Sequence, residues 1–114
     1  SLAIVCHDPD APGRDGFYHW TVWNLPAETT EITGESLPVG AVEGVTSWGR
    51  PGWGGPQPPF GMHRYQFYAY ALNTVLDLPG DTKPKELIAT MKPHIVEQAV
   101  LTGKFGVLDI LRHG

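Results

Sequence analysis

Residues 49–61 (GRPGWGGPQPPFG) hold five glycines and four prolines in thirteen positions. Proline removes a backbone donor and fixes φ, and glycine loses more backbone entropy than any other residue, so neither a helix nor a sheet ladder can run through this stretch. A loop therefore occupies the middle of the 114-residue chain, and regular structure has to be built on either side of it. A chain of this length can bury one core, which makes residues 1–114 a single domain. The totals of 14 Gly, 11 Pro and 4 Trp favour short strands and turns over long helices.

The flanking segments divide by period. Residues 1–7 form a short apolar run with branched Ile4 and Val5, ended by Asp8-Pro9-Asp10-Ala11-Pro12-Gly13; this reads as a strand followed by a turn. Residues 17–25 (FYHWTVWNL) are aromatic and β-branched on both alternating faces, which suits a central strand covered on both sides. A surface loop is expected up to Gly40 and another short strand within residues 41–47. Residues 63–72 (HRYQFYAYAL) alternate, with His63, Tyr65, Phe67, Ala69 and Ala71 on one face and Arg64, Gln66, Tyr68, Tyr70 and Leu72 on the other. Over residues 81–103 the period changes. Leu87, Ile88, Met91, Ile95, Val96, Ala99 and Val100 recur at steps of three and four, Asp81 or Thr82 can cap, Gly103 can terminate, and Pro93 splits the segment into two short helices.

Charge and cysteine content narrow the function classes. The formal net charge is −4, with no Lys/Arg cluster, which argues against a nucleic-acid partner whose phosphates demand a basic face. No apolar run approaches the roughly 20 residues of a membrane span, and no signal-peptide pattern opens the sequence. The lone cysteine, Cys6, cannot form an intrachain disulfide, and a cytoplasmic setting is expected.

Three features could carry chemistry: Asp8 and Asp10 in a proline-locked turn, His19 inside an aromatic strand, and His63 where the Gly/Pro loop meets a strand. Singly, each has an ordinary structural explanation, an Asx turn or a hydrogen-bonded core histidine. Together they gain weight, because both histidines adjoin strand ends or glycine-rich loops whose bare N–H groups can approach an anion. A neutral imidazole can donate one hydrogen bond to a phosphate oxygen and gain charge as the anion binds.

At these blocks the chain resembles the phosphatidylethanolamine-binding protein family, which includes the Raf kinase inhibitor protein. The blocks are Asp8-Pro9-Asp10-Ala11-Pro12, then His19 five residues before Asn24, then residues 54–65 (GGPQPPFGMHRY). The Gly-Gly-Pro-x-Pro-Pro form is similar to the bacterial and archaeal branch. The resemblance continues through residues 68–72 to Leu101-Thr102-Gly103 and covers nearly the whole chain. It implies a mainly β, antiparallel Greek-key sandwich with one or two short C-terminal helices. It also implies a shallow pocket for phosphate, phosphoryl or other small anions formed by Asp8, His19, Gly55, Pro56, His63 and Tyr65, with Asp10 and Arg64 in structural support. Asp8, which would repel an anion, is expected to accept a hydrogen bond from an imidazole and fix its tautomer. Trp48, Trp53 and Phe60 are expected to rim the pocket.

The implied protein is a binding module without catalytic activity or cofactor, able to modulate a protein partner such as a kinase or protease. Family members carry further strands before the one corresponding to residues 2–7, so the domain reads as N-terminally incomplete, and an open sheet edge leads us to expect a homodimer. The rival class is a metal-dependent enzyme on a β scaffold using His7, His19, His63 and Asp8. No H-x-H or H-E-x-x-H spacing supports it. A hydrolase is poorer still, since no serine stands in G-x-S-x-G and Cys6 lies within an apolar strand.

Overall fold

The computed structural model describes residues 1–9, 16–32, 37–47, 49, 65–103 and 108–109. Seven strands and one α-helix lie among them: β1 (Leu2–Asp8), β2 (Phe17–Leu25), β3 (Glu31–Ile32), β4 (Val42–Glu43), β5 (Tyr65–Leu72), α1 (Pro84–Met91), β6 (Ile95–Gly103) and β7 (Leu108–Asp109). Five strands form one antiparallel sheet in the order β4-β2-β1-β5-β6, and β3 pairs with β7 in a separate two-stranded ladder. The mainly β, antiparallel expectation holds. The middle position belongs to β1, with β2 next to it and flanked by the short β4.

Both faces of the sheet are covered near its centre, as the unbroken apolar runs of β1 and β2 require. On one face Ile4, Cys6, Trp20, Val22, Leu25 and Phe67 form a buried cluster. On the other, Ala3, Val5 and Trp23 pack with Leu72, Leu76, Leu87 and Met91, so α1 closes this side. The two faces expected for β5 are observed: Phe67 and Ala69 join the first cluster, whereas Tyr68, Tyr70 and Leu72 join the second. The Trp20 indole N–H donates to Glu43 Oε2 at 2.6 Å and ties β4 to β2.

The second of the two expected helices is a strand. Helix α1 begins at Pro84 in its first turn, with Lys83 at the N-cap; Thr82 instead donates its hydroxyl to the Pro79 carbonyl at 2.7 Å. A 3-10 turn at Lys92–His94 carries Pro93 and ends helical structure, and residues 95–103 then pair along the whole of β5, from Leu72↔Ile95 to Tyr65↔Gly103. The spacing of Ile95, Val96, Ala99 and Val100 fits either period. The β-branched residues and the open flank of β5 decide for the strand.

Candidate functional site

Two irregularities in the β1–β2 ladder shape the site end of the sheet. Leu2 pairs with Leu25 but Ile4 with Val22, and Cys6 pairs with Trp20 but His7 with Tyr18. Each shift inserts one extra residue into β2, the signature of a β-bulge. The first bulge lies beside Asn24, which takes a positive φ of 59° and whose amide clamps the chain after β5: Nδ2 donates to the Leu76 carbonyl and Oδ1 accepts from the Leu76 N–H, both at 2.8 Å.

The second bulge leaves His19 as the extra residue opposite Cys6 and His7. Its ring lies 4.8 Å from that of Phe17, the partner of Asp8, on the face of Cys6 and Trp20. His7 turns to the other face and stacks on Tyr18 with ring centroids 4.5 Å apart. Without the bulge, strict alternation would send His19 to the face opposite Trp20. The extra residue is what gathers Asp8 and His19 on one face at one end of the sheet.

Both groups are buried, Asp8 to 2% and His19 to 6% exposure. Asp8 is electrostatically felt by its neighbour on the same face: the Cys6 thiol is pushed up to about 12, first by burial and then by the Asp8 carboxylate. That thiol is a packing group, as its apolar strand implied. Gly16, at φ +69°, returns the chain over the end of β1; a Cβ there would overlap the Asp8 carbonyl oxygen and stand 2.9 Å from His7 Nε2. Only glycine fits.

Tyr65 opens β5 one residue beyond the His7–Gln66 pair, so its backbone stands at the same end of the sheet as Asp8. Gly55, Pro56, His63, Asp10 and Arg64 lie outside the described residues, as do Trp48, Trp53 and Phe60. Of the four groups weighed for a metal, the structure separates His7 from Asp8 and His19. Among the described residues no group of three or more His, Cys, Asp or Glu is placed to hold a metal ion. Phe17 and Gly16 are site residues that motif reading missed; the Asp15-Gly16 turn dipeptide was the available signal for the latter. An open groove of about 780 Å³ lies on the other side, lined by Tyr18, Thr46, Ser47, Lys83 and Lys85 among others. It is distinct from the Asp8/His19 end of the buried face.

An antiparallel sheet covered on both faces, bulged at one end to present a buried carboxylate and imidazole together, defines a small β scaffold with a polar site at its strand ends. The phosphatidylethanolamine-binding protein family profile matches residues 1–106. A UPF0098 protein of Methanothermobacter thermautotrophicus is 39% identical over 110 residues, covering 92% of this chain and 72% of that protein. Another, from Pyrococcus horikoshii, is 40% identical over 114 residues and is covered to 57% of its length. Among solved structures, Escherichia coli YbcL, described as a member of the mammalian PEBP family, superposes with a TM-score of 0.79 at 33% identity, over 96% of this chain and 71% of YbcL. The Chlamydia trachomatis protein CT736, described as a phosphatidylethanolamine-binding protein homologue, gives 0.82 at 35% identity, over 92% and 71%. The chain belongs to the phosphatidylethanolamine-binding protein family. No helix of the described residues is long and apolar enough to cross a membrane.

Proposed function

We propose that the chain binds small phosphate-bearing or other anionic ligands at the Asp8/His19 end of the sheet, without catalysing a reaction on them. The observation that carries this reading is the bulge that holds a buried imidazole and a buried carboxylate on one face. A carboxylate beside the imidazole favours its protonated, donating form, so the pair can meet an anion that the carboxylate alone would repel. Gly55, Pro56, His63 and Tyr65 complete the pocket, the glycine offering backbone N–H at close approach. Asp10 and Arg64 support its wall. The same reading includes modulation of a protein partner such as a kinase or protease, a cytoplasmic setting, and a homodimer.

Titration with inorganic phosphate and phosphoethanolamine, followed by calorimetry and by NMR of the histidine side chains, tests it. Binding is expected in the wild type and lost in His19→Ala and in His63→Ala while the circular dichroism spectrum is kept. Full affinity in both variants would remove the site. After correction for ionisation of the ligand, affinity is expected to fall as pH rises above the histidine range. A flat corrected profile would show that no imidazole donates to the anion.

A further inference from the structure

We propose that two copies of this chain associate through the outer edges of their β6 strands, pairing antiparallel about a two-fold axis at Gln98. This rests on the homodimer reading above and assigns its interface. β6 is the end strand of the five-stranded sheet, and no described strand lies on its outer side. A nine-residue edge with unpaired N–H and C=O groups is a template for another strand unless charges or prolines blunt it. Here the blunting is slight: Ile95-Val96-Glu97-Gln98-Ala99-Val100-Leu101-Thr102-Gly103 carries one charge and no proline.

The pattern is also self-complementary. Gln98 pairs with Tyr70 and Val100 with Tyr68, so both belong to the face that α1 covers elsewhere. Glu97 pairs with Ala71 and Ile95 with Leu72, which leaves Val96 as the extra residue of a bulge beside Ile95, on that same face. Val96 and Val100 are 65% and 45% exposed, two of the large apolar side chains that the described surface leaves open. A two-fold axis at Gln98 puts Val96 opposite Val100 of the partner twice over and Gln98 opposite Gln98 of the partner. It also sets Glu97 against Ala99 of the partner, so the strand's one charge meets a neutral residue. An axis at Glu97 would oppose like carboxylates, and the valines would lose each other. The Gln98 axis extends the row Tyr68–Val100 directly onto Val96 of the partner, an apolar stripe shared by two sheets.

Light scattering after size exclusion, on the full chain at micromolar concentration, is expected to give twice the 12.5 kDa mass. The double change Val96→Lys with Val100→Lys sets lysines opposite lysines and should weaken association by at least about tenfold, because like charges across an interface are strongly unfavourable. The register is read independently by mixing two single variants. A mixture of Val96→Lys with Val100→Glu should favour the mixed dimer over either homodimer, since the introduced ammonium then faces the introduced carboxylate at one of the two cross-strand positions. A monomeric wild type overturns the homodimer reading and this interface together, and protection of the β6 amides from hydrogen exchange in that monomer would assign the edge to a segment of the protein itself. A dimer indifferent to the lysines and without preference in the mixture overturns the interface alone. If the double variant does not fold, the mixture decides.

Discussion

β1 and β6 have comparable apolar content and opposite fates. Residues 3–6 of β1 are fully buried between two clusters, whereas residues 96–100 of β6 are all exposed. What separates them is position: β1 has a strand on each side and a cluster on each face, and β6 has β5 on one side only. An apolar run thus specifies a strand's burial only once its neighbours are in place. The same principle divides the two ends of β2, where a bulge, not composition, decides which face a histidine serves.

The sharpest way to break this contrast is to delete matched side chains. Ile4→Ala empties part of a closed cluster and is expected to cost about 2–5 kcal/mol, the range for large-to-small changes in packed cores. Val96→Ala, on the exposed edge, should stay within about 0.5 kcal/mol when measured in dilute solution. Urea denaturation of both variants checks the pair; equal losses would mean that β6 is covered in solution.

The next test concerns the bulges. Asn24→Ala removes both bonds to Leu76 and leaves a side chain with a Cβ at φ 59°, which should cost about 2–4 kcal/mol from the lost bonds and the left-handed backbone together. Asn24→Gly removes the bonds but relieves the backbone, so it should be the milder change, by about 1 kcal/mol. If the two are equal, the amide clamp rather than the bulge geometry holds the chain after β5.

These devices mark where the sequence stops being readable. β1, β2 and β5 are visible because aromatic and branched residues alternate or run unbroken, and that pattern has one solution. Residues 95–103 read as helix because Ile95, Val96, Ala99 and Val100 also satisfy steps of three and four; a half-exposed edge strand has no strict face to reveal its period. At the site, Asp8, Tyr65 and the loop glycines can be named from motifs, and His19 with them. Its face cannot be foreseen, because a bulge is a property of two strands in register and β2 alone does not carry it. Phe17 escapes notice for the same reason.

Cys6 offers a smaller test on the buried face. Its thiol is held up to about 12, above its ordinary value of 9.0, so the folded state keeps the proton that the unfolded chain gives up between those values. The contribution is complete below about pH 9 and is lost as pH rises through about 12. Stability should therefore fall with rising pH across that window in the wild type and less steeply in Cys6→Ala. Iodoacetamide at pH 8 should leave native Cys6 unmodified and label it in urea.

The smallest effect belongs to the edge. Val100→Thr keeps the branched Cβ that suits a strand and exchanges one methyl for a hydroxyl at a position 45% open to solvent. In the isolated chain the hydroxyl remains hydrated, so the change should lie within about 0.5 kcal/mol of neutral in denaturant melts at low protein concentration. Melts repeated at rising concentration sharpen the point: stabilisation of the wild type that grows with concentration and is reduced by Val100→Thr would show that this valine is buried only when a second molecule arrives. A loss that is large and independent of concentration would place Val100 in the molecule's own core, and β6 would then have been covered on the same terms as β1.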